Sequence, residues 1–316
     1  MTDRRVKVGV VGVGSLGQAH ARIYSELSEA ELVGVFDVDR KQAEKIATQY
    51  KTTPYTSIDE LASKVEAVSV VVPTDLHRKV GGQLIEKGIH LLVEKPIAAT
   101  TSEAEELVRL AQEKKIILQV GHVERFNPVL SFLDRIKTRP RFIEAHRLAP
   151  YPPPRAGLLP RGTEVSVVLD LMIHDLEVIL HLVKSPVKDI RAVGVPVLSR
   201  SEDIANVRLL FESGCVANVT ASRISPEKLR KIRVFFEDAY VSLDYQNQSG
   251  EIYRKGLLGI SRDEIPIEKG EPLANELRSF VGCVAHRDEP VVSGEHAAEA
   301  LKLAAEICQR VREGAS

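Results

Sequence analysis

The sequence predicts an α/β protein with two domains. The first contains a doubly wound parallel sheet, and the second is built on a largely antiparallel open sheet. Three observations lead to this prediction. A glycine-rich turn separates an apolar strand pattern from a helical pattern near the N-terminus. Strand and helix patterns then alternate as far as residue 120, and after residue 186 they give way to period-two alternation with short turns.

Composition restricts the function classes. With 316 residues, of which 44% are hydrophobic and 28% charged, the chain has the composition of a soluble globular protein. A formal net charge of −1 argues against a nucleic-acid partner. Cys215, Cys283 and Cys308 are widely separated, so we expect no metal and no disulfide framework. No apolar signal core and no run near the roughly 20 residues of a membrane span are visible, which predicts a cytoplasmic protein without a membrane partner.

The first strand, over residues 6–11, stops at the turn Gly12-Val13-Gly14-Ser15-Leu16-Gly17, and a helix follows over residues 18–27. Gly12 permits the tight turn, Gly14 lets backbone N–H groups approach a pyrophosphate, and Gly17 lets the helix pack on the strand. The helix N-terminus adds positive potential. Between two strand patterns, this spacing predicts a dinucleotide-binding Rossmann fold, with Ser15 and Leu16 also placed at the cofactor.

An acidic residue follows the second strand, which is predicted over residues 32–36. Asp37 lies 20 residues after Gly17, where a dinucleotide fold places the carboxylate that holds the adenosine ribose hydroxyls. Because a carboxylate would repel a 2′-phosphate, Asp37 predicts NAD rather than NADP. Arg40, three residues further on, is the observation that weakens this preference.

Strands and helices continue to alternate beyond this point. Helices are predicted over residues 40–50, 58–64, 76–87 and 102–115, and strands over residues 65–72, 89–93 and 116–120. The helix N-caps are assigned to Asp39, Ser57 and Ser102, each with the residue three positions along reaching back. This alternation predicts a parallel sheet with helices on both faces.

Polar residues follow two of these strands, at the sheet edge where open α/β folds bind ligands. One stretch is Pro73-Thr74-Asp75-Leu76-His77, and the other is Glu94-Lys95-Pro96. A lysine against an apolar strand end is suited to hydrogen-bond or exchange a proton with a substrate hydroxyl. The alternative is that Glu94 and Lys95 are ordinary solvated charges and that His77 is a capping or packing histidine.

Taken together, these motifs resemble a known family. The set Gly12-x-Gly14-x-x-Gly17-x-x-His20, Pro73-Thr74-x-x-His77 and Glu94-Lys95-Pro96 is similar to the N-terminal domain of the glucose–fructose oxidoreductase and inositol dehydrogenase family, called Gfo/Idh/MocA. The resemblance implies a sugar or cyclitol dehydrogenase that transfers a hydride between a hydroxyl-bearing carbon and a nicotinamide. It also implies that Pro73, Thr74, His77, Glu94 and Lys95 lie at the cofactor, with Lys95 close to the substrate as well.

The end of the alternation at Gly121-His122 predicts a domain boundary, with residues 1–122 binding NAD and residues 123–316 binding substrate and forming oligomer contacts. Pro128 is expected to begin a helix, and residues 141–148 form a strand. The proline-dense segment 149–155 must then be an ordered loop or lid. Four arginines border these segments and could meet an anion, or could be solvated charges without a role: Arg125, Arg147, Arg155 and Arg161.

A helix predicted over residues 165–183 carries Asp170, His174 and Asp175. Residues 170 and 174 are four apart and therefore share a helix face. A carboxylate beside an imidazole orients the ring and raises its basicity, as a general base requires. The string Asp170-x-x-x-His174-Asp175 also resembles the catalytic helix of the same family. We therefore predict His174 as the base, Asp170 as its neighbour or a ligand of a substrate hydroxyl, and His181 as structural.

The remaining sequence predicts the second sheet and two closing helices. Strands are expected over residues 187–198, 203–211, 215–221, 231–237, 240–245 and 251–253, and helices over residues 275–286 and 295–312. Family members pack this sheet against a neighbouring subunit, so the resemblance implies a homodimer or homotetramer.

Three functions stay open at this stage. Residues 121–128 and 170–175 are similar to family members that oxidise the 3-hydroxyl of UDP-N-acetylglucosamine or its uronate, whose product is aminated for lipid A or surface polysaccharide. A uronate would need a further basic residue to bind its carboxylate, and the sequence shows no clear candidate. This favours the uncharged N-acetylglucosamine. The alternatives are a dehydrogenase of free inositol or hexose, and a binding module that senses the dinucleotide without turnover.

Overall fold

The computed structural model describes residues 4–154, 160, 162–256 and 259–314. Arg155 and Arg161, two of the predicted substrate-binding residues, lie outside this part of the chain. Within it, no helix is both long and apolar enough to cross a membrane.

The chain forms two compact units, which are not consecutive in sequence. One comprises Met1–Val123 and Glu271–Ala298, and the other comprises Glu124–Gly270 and Glu299–Ser316, over their described residues. The segment 271–298 thus joins the first unit, whereas the sequence suggested one uninterrupted second domain over residues 123–316. The reason is the apolar face of the helix α7 (Pro272–His286), whose Leu277 and Phe280 enter the hydrophobic core of the first unit.

The first unit contains a six-stranded parallel sheet in the order β3-β2-β1-β4-β5-β6. The order reverses between β1 and β4, which places the binding crevice of such a fold at the carboxyl ends of the strands. The strands are β1 (Val6–Val11), β2 (Ala30–Phe36), β3 (Thr53–Pro54), β4 (Ala67–Val70), β5 (His90–Glu94) and β6 (Leu118–Gly121). The helices are α1 (Ser15–Glu26), α2 (Arg40–Gln49), α3 (Ile58–Ala62), α4 (His77–Glu86) and α5 (Thr101–Lys114).

The N-caps of α2 and α5 can be compared with those expected from the sequence. Asp39 accepts hydrogen bonds from two backbone N–H groups of α2, as expected, but the side chain of Gln42 donates to the Val13 carbonyl instead of reaching back. The prediction of Ser102 as the cap of α5 is wrong. Thr100 caps this helix through a reciprocal capping box with Glu103, which starts the helix earlier because both side chains satisfy backbone N–H groups.

The second unit contains an eight-stranded sheet in the order β14-β13-β12-β11-β7-β10-β9-β8. All neighbours are antiparallel except β7 and β10, which run parallel at the centre. The strands are β7 (Phe142–Leu148), β8 (Val187–Val195), β9 (Ile204–Phe211), β10 (Val216–Ser222), β11 (Leu229–Phe235), β12 (Ala239–Asp244), β13 (Ser249–Gly256) and β14 (Gly259–Glu264). The sequence did not predict β14, because its residues are exposed on both faces and lack period-two alternation.

Two helical segments differ from their predictions. Instead of an α-helix from Pro128, the chain forms a short 3₁₀ segment, Leu130–Arg135. The Asn127 side chain accepts from the Val129 N–H and the Ser131 hydroxyl donates to the Pro128 carbonyl, and such local hydrogen bonds compete with helix formation. The helix expected over residues 165–183 begins with a π turn, Val168–Met172, and continues as α6 (Ile173–Val183). The last helix is α8 (Gly294–Gly314).

Candidate active site

The glycine-rich turn leaves room for a ligand at one position and for none at two others. Gly12 has a φ of +86°, and a Cβ there would lie 2.4 Å from the Val71 carbonyl oxygen. A Cβ on Gly17 would overlap the Gly12 carbonyl, so the helix and the turn are in direct backbone contact. By contrast, no atom of the described chain lies within 4 Å of a Cβ on Gly14, the N-cap of α1. The turn therefore fits the pyrophosphate of a dinucleotide at Gly14, next to Ser15 and Leu16.

The carboxylate of Asp37 is attached to this turn. Its Oδ2 accepts a hydrogen bond of 2.7 Å from the Val13 N–H, and its Oδ1 accepts one of 2.9 Å from the Asp39 N–H. The Arg40 guanidinium pairs with Glu44 at 2.9 Å on the exposed side of α2. Both observations favour the interpretation of Asp37 as the acidic residue at an unphosphorylated ribose.

The His77 side chain packs between two backbone carbonyl groups, in agreement with the alternative of a capping or packing histidine. Its ring is buried, with Nδ1 2.9 Å from the Pro96 carbonyl oxygen and Nε2 2.9 Å from the Val72 carbonyl oxygen. Burial lowers the pKa of His77, although the two carbonyl oxygens act to raise it. His77 therefore ties the segment after β4, which includes Pro73 and Thr74, to the Glu94-Lys95-Pro96 turn.

Glu94 occupies the end of β5 and is buried. Its Oε1 lies 3.1 Å from His20 Nε2, and its Oε2 accepts a hydrogen bond of 3.3 Å from the Lys95 N–H. Lys95 follows directly, at the carboxyl edge of the sheet and partly exposed. The expectation that a buried strand places Lys95 at this edge is confirmed. The adjacent Glu94 carboxylate stabilises the turn through its hydrogen bond to the Lys95 N–H.

A second carboxyl group lies close enough to Glu94 to interact with its charge, and no motif pointed to it. Glu276 of α7 is fully buried, and neither of its carboxyl oxygens has a hydrogen-bond partner among the described residues. Burial raises its pKa well above the ordinary value, and the charge of Glu94 raises it further. A fully buried carboxyl group without a hydrogen-bond partner favours its neutral form.

In the second unit, Asp170 lies in the π turn and His174 lies in the first turn of α6. π turns are frequent at functional sites, and residues four apart still share one side of the helix. Asp170 is packed tightly, because a Cβ on Gly162 would lie 2.3 Å from its Oδ2. The local geometry is thus compatible with the predicted pairing of carboxylate and imidazole on one face.

Asp175, next to His174, anchors the same helix through a buried ionic cluster. Arg147 of β7 donates two hydrogen bonds to the Asp175 carboxylate, at 2.8 and 3.0 Å, and one of 2.8 Å to Glu124. Burial raises the pKa of Asp175, while Arg147 opposes that shift. For Glu124, burial acts to raise the pKa, but the charge and hydrogen bond of Arg147, together with Arg230 and Asn127, lower it overall. Arg147 is therefore engaged inside the unit.

Arg125 is likewise paired. Its Nη1 donates to Glu177 Oε1 at 2.6 Å, and both side chains are buried. Burial raises the pKa of Glu177 to about 7, although Arg125 lowers it. The substrate role of Arg125 stays a prediction, against which this pairing counts. Among the described residues, no three His, Cys, Asp or Glu side chains come together as a possible metal site.

Comparison with known proteins agrees with this arrangement. Residues 6–122 match the family model described as "Oxidoreductase family, NAD-binding Rossmann fold", and residues 138–242 match the GFO/IDH/MocA C-terminal domain. The chain belongs to the Gfo/Idh/MocA oxidoreductase family. As a member of it, the protein is an NAD-binding oxidoreductase, which confirms the predicted family, fold and cofactor.

Within this family, the chain is similar to two curated relatives and one solved structure that cover nearly its whole length. The chain is 36% identical over 290 residues to UDP-N-acetylglucosamine 3-dehydrogenase of Acidithiobacillus ferrooxidans, which covers 89% of this chain and 90% of the relative. A solved structure of that enzyme superposes with a TM-score of 0.92 at 34% identity, over 98% of both chains. The scyllo-inositol 2-dehydrogenase of Bacillus subtilis is 25% identical over 334 residues, covering 99% of this chain and 96% of the relative.

Proposed function

We propose that this protein oxidises the 3-hydroxyl of UDP-N-acetylglucosamine to the 3-keto sugar. The observation that carries the proposal is the 36% identity, over nine tenths of both chains, to an enzyme named for that reaction. The inositol dehydrogenase with comparable coverage is only 25% identical. Identity alone thus favours the nucleotide sugar over a free cyclitol.

The proposed reaction assigns a role to each predicted catalytic residue. Bound NAD, held at Gly14 and Asp37, would supply the acceptor for the hydride of C3. His174 takes the hydroxyl proton as general base, and Asp170 orients the imidazole or binds a neighbouring sugar hydroxyl. Lys95 donates a hydrogen bond to the reacting oxygen, on which negative charge develops as its proton leaves. Glu94, held by His20, keeps the Lys95 backbone in place.

In the cofactor-binding part, the proposal rests on three features. The N-terminus of α1 and the space beside Gly14 support binding of the pyrophosphate. Asp37 supports binding of the ribose diol. Pro73, Thr74 and His77 shape the same edge of the sheet, His77 by holding the turn through its two carbonyl contacts. We expect this reaction in the cytoplasm, because it consumes NAD.

Two of the four arginines predicted near the diphosphate are already engaged in ion pairs. Arg125 and Arg147 are buried and paired with carboxylates, so each would have to break an ion pair to reach a phosphate. Arg155 and Arg161 remain the other predicted candidates. Replacing each by Ala should raise KM for the nucleotide sugar if it contacts the diphosphate, while KM for NAD stays unchanged.

We also propose that the protein forms a homodimer or homotetramer through its eight-stranded sheet. One face of this sheet is buried against the unit's own core. On the opposite face, four partly exposed aromatic rings from neighbouring strands form a row: Phe142, Phe235, Tyr240 and Tyr253. The last three are stacked at centroid distances of 4.7 Å, and Phe142 is tilted against Phe235 at 5.6 Å. Such a surface is suited to another subunit. Light scattering of the wild type and of Tyr240→Glu tests this, and a monomeric wild type would contradict it.

The function is tested by incubating the enzyme with NAD and UDP-N-acetylglucosamine, together with an aminotransferase and an amino donor that remove the keto product. We expect NADH and a 3-amino nucleotide sugar. Oxidation of myo-inositol or a free hexose, without reaction of the nucleotide sugar, would overturn the substrate assignment and leave the oxidoreductase standing. Binding of NADH without turnover of any of these substrates would instead support the sensor alternative.

A further inference from the structure

A buried arginine secures the segment that precedes the π turn. Arg223, directly after β10, is only 2% exposed. Its guanidinium donates four hydrogen bonds: Nε to Asp203 Oδ1 at 2.8 Å, Nη1 to the carbonyl oxygens of Gly162 at 2.6 Å and Val165 at 2.8 Å, and Nη2 to Ser201 Oγ at 3.1 Å. The planar fork of an arginine is needed to reach these acceptors at once.

Asp203, the ion-pair partner of Arg223, is itself held in place by hydrogen bonds. Its Oδ2 accepts hydrogen bonds of 2.8, 2.6 and 2.8 Å from the backbone N–H groups of Val197, Leu198 and Ser199. Its Oδ1 accepts one of 2.6 Å from the Ser199 hydroxyl, in addition to Arg223. The pair is therefore anchored to the backbone on both sides, and it holds the carbonyl of Gly162 at a defined position.

Gly162 in turn lies next to the Asp170 carboxylate. Its φ is +82°, a conformation that glycine adopts without strain, and its Cα faces the Asp170 carboxylate. An added Cβ would lie 2.3 Å from Asp170 Oδ2 and 2.8 Å from Asp170 Cγ. The carboxylate thus occupies the space beside the Cα of a residue whose carbonyl oxygen Arg223 binds, and neither relationship could be read from the sequence.

We propose that Arg223 and Gly162 are positioning residues that set the place of the Asp170 carboxylate in the active site. This inference rests on the proposed role of Asp170 in sugar oxidation. Arg223 acts through Gly162 and has no part in the chemistry itself. Positioning at this precision matters, since a misplacement of about 1 Å can cost roughly 100-fold in rate.

The test compares two glycines with the same backbone conformation. Gly162→Ala places a methyl group against Asp170. Gly214→Ala is the matched control, because Gly214 also has a φ of +82° and lies in the same unit, but no described atom lies within 4 Å of its Cβ position. Both variants carry the same backbone strain, and Gly162→Ala adds the contact with Asp170, so its thermal stability should fall at least as far as that of Gly214→Ala. Only Gly162→Ala should lower kcat, by about 10-fold or more, with KM for NAD and the NADH dissociation constant unchanged.

A double-mutant cycle with Asp170→Asn separates positioning from a general structural effect. If Gly162 acts through Asp170, then Gly162→Ala should cause little further loss of kcat in the Asp170→Asn background. Equal fractional losses in both backgrounds would overturn the inference, as would a wild-type kcat for Gly162→Ala. The assay uses whichever substrate the wild type oxidises, so the test does not depend on the nucleotide-sugar assignment.

A wild-type kcat for Asp170→Asn would have a different meaning, because it would remove the proposed role of Asp170 and the inference with it. If Gly162→Ala does not fold, Arg223→Lys replaces it in the same cycle. Lysine retains the charge next to Asp203 but cannot hold both backbone carbonyls, so kcat should fall in the wild-type background and not in Asp170→Asn. Additive losses would again overturn the proposal.

Discussion

The carboxylate of Asp37 accepts a hydrogen bond from the Val13 N–H at 2.7 Å, which connects the end of β2 to the glycine-rich turn after β1. The same carboxylate that is expected to face the ribose thus also fixes the turn expected to face the pyrophosphate. Cofactor selection and the shape of the binding site are therefore coupled through one side chain.

Asp37→Ser should narrow the preference for NAD over NADP. The wild type should use NAD with a much higher kcat/KM, because the carboxylate repels a 2′-phosphate. The variant loses this repulsion, so kcat/KM for NADP should rise. It also loses the hydrogen bond to the Val13 N–H and the carboxylate at the ribose, so kcat/KM for NAD should fall. Steady-state kinetics with both cofactors measure the ratio.

Asp39→Ser is the control for this change. It removes the same charge two residues away, and serine can still cap α2. Its cofactor ratio should equal that of the wild type. Equal use of NAD and NADP by the wild type would refute the interpretation of Asp37.

His174→Asn should lower kcat by roughly 100-fold or more, which is a typical contribution of a general base. NADH binding, followed by fluorescence, should be almost unchanged. His181→Asn is the matched control on the same helix, since His181 pairs with Asp134 at 2.8 Å on a partly exposed surface. Wild-type turnover by His174→Asn would assign this histidine a structural role.

Glu276→Gln should stabilise the protein increasingly as pH rises. The pKa of Glu276 is raised in the folded state by burial and by Glu94, so folding retains a proton that the unfolded chain releases above about pH 4.5. The favourable contribution is complete below that pH and is lost as pH increases. The nearby titratable groups are Glu94, His20 and Tyr24.

Thermal unfolding of Glu276→Gln and the wild type at pH 5 and pH 8 measures this difference. The gain in Tm should be small at pH 5 and reach roughly 2 °C or more at pH 8. Glu299→Gln, which alters an exposed carboxylate of α8, controls for the loss of one charge. A gain in Tm independent of pH would show that Glu276 is ionised in both states.

Arg147→Ala should destabilise the protein by about 3–5 kcal/mol, because it leaves Asp175 buried without its counter-charge and leaves Glu124 with only the partly exposed Arg230, at 3.3 Å. Arg233→Ala is the matched control. Arg233 extends from β11 to Glu144 of β7 at 2.9 Å, but that pair is exposed, so its loss should cost at most about 1 kcal/mol. Denaturant unfolding measures both, and equal costs would contradict the proposed importance of the buried cluster.

Local patterns predicted well those features that depend on neighbouring residues. The glycine turn, the strand that delivers Lys95 and the acid after β2 each lie within one strand–turn–helix segment, so their spacing is visible directly. One error lies where two local signals compete. Thr100 and Ser102 both have a suitable side chain for capping α5, and only Thr100 forms the complete capping box with Glu103.

The family, the parallel sheet and the places of Gly12, Asp37, Lys95 and His174 on their elements were determined by the sequence alone, because periodicity and turn chemistry act over a few residues. Tertiary structure decided which distant residues became partners. Arg147 meets Asp175, Arg223 meets Gly162, and Glu276 comes to lie behind Glu94. Such pairs form only when strands and helices far apart in the chain pack together, and desolvation then makes each charged group depend on the partner that packing supplies.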